Sequence, residues 1–163
     1  MLWHYLIEQG VLILSTTVSN ALEDLNGSTI ESVKQILPIT YENITAPVIC
    51  SELTCHFGVL VGITGTIKGK VLYKSDVDFF SFVGELMFGM ALEGDMLKSF
   101  AGELGNMISG GLCTNIFSKG MTIDITAPTI IEGKMTLSGF KEAIEIEMTF
   151  QNGKKLEIGL MID

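Results

Sequence analysis

The stretch that decides the fold lies near the end of the chain, where residues 144–162 read IEIEMTFQNGKKLEIGLMI. Apolar residues alternate with acidic or polar ones over 144–150, and a second alternation runs over 156–162. Successive side chains of a strand point to opposite faces, so each run predicts a strand with one apolar face. Asn152-Gly153 between the runs predicts a two-residue turn of type I′. The sequence therefore predicts an antiparallel sheet with one face covered by helices.

Outward from this hairpin, hydrophobic periodicity predicts three helices and several further strands. The predicted elements are a helix over 2–25 ended by Asn26-Gly27, strands over 47–56, 57–64 and 67–74, a helix over 76–88, a long helix from 95 to about 120, and strands over 122–126 and 129–135. This order predicts an α+β fold, a two-layer sandwich of helices on a largely antiparallel sheet. It also hints at an internal duplication of two helix-plus-three-strand halves. The length of 163 residues predicts a single domain over residues 1–163.

The composition argues against several classes of function. The chain has a net charge of −9 and its ten basic residues are all lysine, so no nucleic-acid-binding face is expected. No apolar run reaches the roughly 18 residues of a membrane span, and no Lys or Arg precedes Lys34, whereas a secretory signal needs a basic start. We therefore expect a cytoplasmic protein that does not enter a membrane. Cys50, Cys55 and Cys113 predict free thiols, with the first two on opposite sheet faces.

The long predicted helix carries the polar pattern with the most chemical content, Ser-Phe-Ala-Gly-Glu-Leu-Gly-Asn over residues 99–106. Glu103 and Asn106 are three residues apart, so they share one helix face and point outward beside the apolar stripe. Four glycines between 102 and 111 each cost roughly 1 kcal/mol relative to alanine. They favour a bare surface that another molecule can approach closely. The plain alternative is a solvated helix face whose polar residues only keep the protein soluble.

The pattern resembles the CheC/CheX/FliY family of chemotaxis phosphatases, and within it the CheX type. That family's signature is Asp or Ser, then E-x-x-N, then a Pro after the next strand. The matching residues here are Ser99, Glu103, Asn106 and Pro128. The further stretches that look like the family are 61–65, 69–73, 102–110 and 124–129. The resemblance covers roughly residues 12–163, which is nearly the whole chain.

The resemblance implies a phosphatase that hydrolyses the phospho-aspartate of a CheY-type response-regulator receiver domain. Asn106 would position the attacking water, because a carboxamide both donates and accepts hydrogen bonds. Glu103 would pair with the receiver's active-site Lys. The receiver's own acidic residues would hold Mg²⁺, so the chain would need no cofactor or metal ligand of its own. The supporting residues would be Ser99, Gly102, Gly105, Gly110 and Pro128, with the glycines admitting the receiver's loops.

Three further expectations follow from these residues and from the resemblance. Glu8-Gln-Gly-Val11 has the spacing of the motif with Val in place of Asn, and chance is the favoured explanation, because the helical phase makes Val11 a core residue. If the echo is real, the first half has no carboxamide and no second site, which favours the one-site CheX type. CheX-like members form homodimers through sheet edges, so a homodimer is expected. Met87, Met90 and Met107 could edge an adaptable contact surface. The competing reading is a catalytically silent, CheC-like adaptor that only binds a receiver domain.

Overall fold

The computed structural model describes residues 19–163 and contains three helices and eight strands within them. The elements are α1 (Asn20–Ile36), β1 (Tyr41–Ile44), β2 (Val48–Ile49), β3 (Leu53–Gly65), β4 (Gly69–Lys74), α2 (Val77–Phe88), α3 (Gly94–Phe117), β5 (Ile123–Ile125), β6 (Thr129–Leu137), β7 (Glu142–Phe150) and β8 (Lys155–Ile162). The predicted α+β fold, with helices on an antiparallel sheet, is confirmed.

The eight strands form one antiparallel sheet in the order β1-β7-β8-β4-β3-β5, with β2 also on β7 and β6 also on β3. Its centre is the pairing of β4 with β8. Each of these central strands belongs to a hairpin: β3–β4 is extended by β5 and β6, and β7–β8 is extended by β1 and β2, in each case from the other half of the chain. This symmetric order is the one that two helix-plus-strand halves would produce.

The main core lies between the helices and one sheet face. Alternate residues of β3 are buried there, including Val59, Val61 and Ile63, and they pack with the apolar stripe of α3. The other sheet face holds a smaller cluster that includes Leu53, Cys55 and Leu72. Among residues 19–163, no helix is long and apolar enough to cross a bilayer.

The three cysteines are free thiols, as predicted, and burial raises the pKa of each. The prediction that Cys50 and Cys55 face opposite sides is wrong. Cys50 lies in the β2–β3 connection, outside any strand, so strand parity does not fix its direction. It packs against the same small cluster that contains Cys55.

Helix α1 continues well past its predicted end at Asn26-Gly27 and reaches Ile36. Packing on α3 overrides the local stop signal, because the second half of α1 is buried against that helix. Ser32 Oγ donates to the carbonyl of Ile108 at 2.7 Å, and a Cβ at Gly111 would collide with that hydroxyl. Asn26 therefore lies inside the helix and is not its C-cap. The predicted helical residues 2–18 lie outside the described part of the chain.

Other boundaries also differ from the sequence prediction. The predicted strands 47–56 and 57–64 are replaced by β2 and the single strand β3, because β3 pairs along its length with β4 and β6. Strand β1 was missed. The turn between β7 and β8 is not of type I′, which needs positive φ at two residues. Gly153 has φ +80°, Asn152 does not have positive φ, and Gly153 N donates to Phe150 O at 2.9 Å.

Candidate active site on helix α3

Helix α3 has one face against the sheet and one face toward solvent. Phe100, Leu104 and Ile108 are buried in the core, at the spacing that a helix needs to present one apolar stripe. On the other side Ser99 and Glu103 are exposed, and Asn106 is half-buried. The sequence prediction that the carboxylate and carboxamide lie beside the core stripe agrees with this placement.

Two of the glycines assigned to partner approach lie close to side chains of the sheet. A Cβ on Gly105 would lie 2.7 Å from Val59 Cγ1 and 3.5 Å from Tyr73 Cδ2, so the missing side chain lets α3 approach the sheet. A Cβ on Gly102 would lie 3.2 Å from Ile130 Cδ1. Both glycines are buried. Gly105 therefore serves the packing of α3 on the sheet, whereas Gly102 also lines the cleft described below, and the expectation that these glycines admit a receiver's loops stays a prediction.

A buried hydrogen bond between Tyr73 of β4 and Ser109 of α3 joins the helix to the sheet, one turn after Gly105. Tyr73 Oη and Ser109 Oγ are 2.8 Å apart and share a hydrogen bond, and both side chains are removed from solvent. Burial raises the pKa of the Tyr73 hydroxyl, so this group stays protonated at neutral pH. Because buried hydroxyls need partners, the pair holds α3 at one position along the sheet.

The exposed face of α3 borders a shallow cleft of about 490 Å³ beside the start of β6. Four of the predicted site residues line it together: Ser99, Gly102, Glu103 and Pro128. Pro128 Cγ lies 3.7 Å from the position of a Cβ on Gly102, so the proline closes the cleft against the helix. Asn106 follows Glu103 by three residues on the same helix, just beyond this cleft.

Gly110 and Lys98 lie near Glu103 and Asn106 on the same helix. A Cβ on Gly110 would meet nothing within 4 Å, so this glycine alone of the three predicted to admit a partner leaves open surface. Lys98, the residue before Ser99 on α3, forms an ion pair with Glu132 at 3.0 Å. The hydrogen bond to Glu132 raises the pKa of Lys98. Its charge is thus already balanced by a neighbour on β6.

The described residues offer no preformed metal centre. Between residues 19 and 163, no three His, Cys, Asp or Glu side chains are grouped closely enough to hold a metal ion. The chemical groups at the site are therefore one carboxylate, one carboxamide and one hydroxyl on the outer surface of α3. An ionised carboxylate accepts hydrogen bonds, whereas a carboxamide can donate and accept at once. Such a pair can bind a cation and orient a water molecule.

A second cleft, which sequence reasoning indicated only in part, lies on the other side of Glu103. Met87, Met90 and Met107 line it as a group. Phe88 and Met96 also line it and were not singled out from the sequence. The signal that could have found Met96 is its place on α3, seven residues before Glu103 and therefore close to the same helix face.

A helix-backed antiparallel sheet with two hairpins is the fold of the solved CheX and CheC-like structures. The family model described as "Chemotaxis phosphatase CheX" matches residues 57–149, a span that contains all of α3 and Pro128. The chain belongs to the CheX family.

Known relatives agree with this assignment. The chain is 28% identical over 145 residues to the CheY-P phosphatase CheX of Thermotoga maritima, a match that covers 85% of this chain and 92% of the relative. Its fold is similar to CheX in the CheX-CheY-BeF3-Mg²⁺ complex of Borrelia burgdorferi, with a TM-score of 0.71, 22% identity, and coverage of 86% and 96%. CheX of Vibrio vulnificus gives a TM-score of 0.73 at 17% identity, with coverage of 89% and 100%.

Proposed function

We propose that this chain accelerates hydrolysis of the phospho-aspartyl group of a CheY-type receiver domain. Membership of the CheX family and the relative named CheY-P phosphatase support the reaction class. The observation that carries the proposal is the placement of Glu103 and Asn106 on the solvent-facing side of α3, within the span that the family model matches. A partner can reach both groups without any change in the core.

Asn106 positions the attacking water. Its carboxamide oxygen accepts a hydrogen bond from the water while its N–H₂ group donates to a phosphoryl oxygen. The water oxygen attacks phosphorus in line, the bond from phosphorus to the aspartyl oxygen breaks, and the carboxylate leaves with the bonding electrons. A carboxamide takes up no proton, so one proton of the water stays on the attacking oxygen and the other goes to a phosphoryl oxygen, which gives dihydrogen phosphate and the free aspartate carboxylate. Positioning and charge stabilisation supply most of the catalysis in phosphoryl transfer.

Glu103 fixes the orientation of the receiver. Its carboxylate, one helical turn before Asn106, pairs with the ammonium group of the receiver's active-site Lys. The pair draws that Lys toward α3 and sets the register in which the carboxamide enters the phosphorylation site. A charge-assisted hydrogen bond of this kind is stronger than a neutral one and is shielded from water once the complex forms.

Mg²⁺ enters the reaction with the receiver. The acidic residues of the receiver hold the ion, where it neutralises charge on the phosphoryl oxygens. The solved Borrelia burgdorferi complex, which contains CheX, CheY, BeF3 and Mg²⁺, supports this division of roles. Ser99 and Pro128 act as the rim of the cleft that receives the partner, and Gly110 leaves the neighbouring surface open.

Phosphate release from a phosphorylated CheY-type receiver in the presence of Mg²⁺ tests the proposal. We expect the wild type to accelerate release, and Asn106→Ala to lose the acceleration while it still binds the receiver. Asn43→Ala is the matched control. Asn43 is an exposed asparagine on β1, at the opposite end of the sheet from β6, which borders the cleft. Binding without acceleration by the wild type would instead assign the chain to the adaptor class.

We also propose that two copies associate through their sheet edges. Strand β1 is at one end of the sheet, and β5 and β6 are at the other. An edge strand carries unpaired backbone groups that another strand can bond. Light scattering gives the mass of the particle in solution: twice the 17.7 kDa chain mass supports a dimer, and the chain mass itself contradicts it.

A further inference from the structure

The apolar cleft beside Glu103 has no role in the chemistry proposed above. It lies between the end of α2, the α2–α3 connection and the outer side of α3, with a volume of about 480 Å³. Its apolar wall consists mainly of Met87, Phe88, Met90, Met96, Phe100 and Met107. We call it the methionine cleft.

The wall of this cleft is exposed to solvent to an unusual degree for such side chains. Phe88 is 61% exposed, Met90 56% and Met96 60%. Phe88 is nevertheless anchored, because its ring packs edge-on against the buried ring of Phe100, with 5.7 Å between the centroids. A contiguous exposed apolar patch on a protein marks an interaction site, and the flexible thioethers of methionine adapt to the shape of a partner.

The methionine cleft is continuous with the candidate active site. Ser99 and Glu103 line both the methionine cleft and the cleft that Pro128 closes. Met96 precedes Glu103 by seven residues, which is about 10.5 Å along a helix. A typical specific interface buries roughly 800 Å² on each partner, equivalent to a disc of roughly 16 Å radius. A partner centred on Glu103 therefore covers Met96 as well.

The negative charge of this chain gives a reason why a receiver would bind here through an apolar contact. The chain carries a net charge of −9, and the charged residues that line the methionine cleft are Asp95 and Glu103. A receiver site that holds Mg²⁺ with carboxylates is itself acidic, so long-range attraction does not bring the two together. Burial of apolar surface needs no opposite charge and is insensitive to moderate salt.

Given the function proposed above, we infer that the methionine cleft is the docking surface for the same receiver domain. It accepts an apolar element of the receiver's surface next to the phosphorylated aspartate. The methionine cleft adds affinity to that of the ion pair made by Glu103, which lines both clefts, and Asn106 supplies the chemistry. Affinity therefore depends on the methionine cleft and on Glu103, whereas the rate at saturating receiver depends on Asn106.

The test uses calorimetric titration with CheY-type receivers of the same genome, loaded with BeF3⁻ and Mg²⁺ as a stable mimic of the phosphorylated form. We expect Met90→Ser and Met96→Ser each to weaken Kd by about tenfold. Turnover at saturating phosphorylated receiver stays unchanged, so only KM rises. Met135→Ser is the matched control, because Met135 is 43% exposed on β6, outside the methionine cleft.

The outcomes separate this inference from the proposed function. Unchanged Kd in Met90→Ser and Met96→Ser, with turnover still lost in Asn106→Ala, overturns the docking surface and leaves the phosphatase in place. Weakened Kd in the two variants, without acceleration by the wild type, supports the docking surface and overturns the phosphatase. No binding of any receiver by the wild type overturns both. Loss of self-association instead of receiver binding assigns the methionine cleft to a second copy and overturns the inference.

Discussion

The two faces of helix α3 use the same kinds of residue for opposite purposes. On the inner face, Gly105 lets the helix pack closely on the sheet, and Ser109 forms a buried hydrogen bond with Tyr73. On the outer face, Gly110 leaves open space, and Glu103 presents a carboxylate to solvent. A glycine-rich polar helix is therefore not by itself evidence for a binding surface. The direction of each residue decides whether it serves the fold or a partner.

The largest effect on folding is expected from the inner-face glycine. Gly105→Ala places a methyl group 2.7 Å from Val59 Cγ1, and Val59 is a stiff, fully buried side chain. We expect the free energy of unfolding to fall by about 2 kcal/mol. Gly110→Ala is the matched control and should raise it by up to about 1 kcal/mol, since alanine is the better helix former. Urea unfolding measures the free energy of unfolding of both variants. Equal changes of the same sign in the two variants would refute the distinction between the faces.

A smaller effect is expected from the buried hydroxyl pair. Ser109→Ala leaves the Tyr73 hydroxyl buried without its partner, and Tyr73→Phe does the same to Ser109. Each change should lower the free energy of unfolding by about 1–2 kcal/mol. The double variant should lose less than the sum, because it leaves no unpaired hydroxyl. Strict additivity in this double-mutant cycle would show that the pair does not hold α3 in place.

The smallest effect on folding is expected on the outer face. Glu103→Gln keeps the shape of an exposed side chain and should change the free energy of unfolding by less than about 0.5 kcal/mol. The same variant should weaken the Kd of a BeF3⁻-loaded receiver by roughly tenfold, because it loses the charge-assisted pair with the receiver's Lys. Calorimetry against the wild type measures this. A Kd that does not change would remove Glu103 from the interface.

The fold class and the candidate motif could be predicted because both are local patterns. The alternation over 144–150 and 156–162 is a period-two signal that needs no knowledge of distant residues. Glu103 and Asn106 are likewise related by helical spacing alone. Their assignment to catalysis came from the resemblance to a family, since the spacing itself fits any solvated helix.

The rest depends on contacts between distant parts of the chain. The stop signal at Asn26-Gly27 was overridden because Ser32 bonds to Ile108, 76 residues away. The inward direction of Gly105 is visible only once Val59 of β3 lies beneath it. The joining of two predicted strands into β3 follows from its long pairing with β4 and β6. Local propensity holds no information on any of these contacts.

The most direct test of the central claim is the turnover of Asn106→Asp at saturating phosphorylated receiver. An ionised carboxylate has nearly the shape of the carboxamide, but it cannot donate a hydrogen bond and it adds negative charge beside the phosphoryl group. If Asn106 positions water through its carboxamide, turnover should fall by about 100-fold or more, to the level of Asn106→Ala, with unchanged unfolding free energy. Turnover close to that of the wild type would contradict the account, because it would mean that a proton acceptor serves at this position as well as a carboxamide.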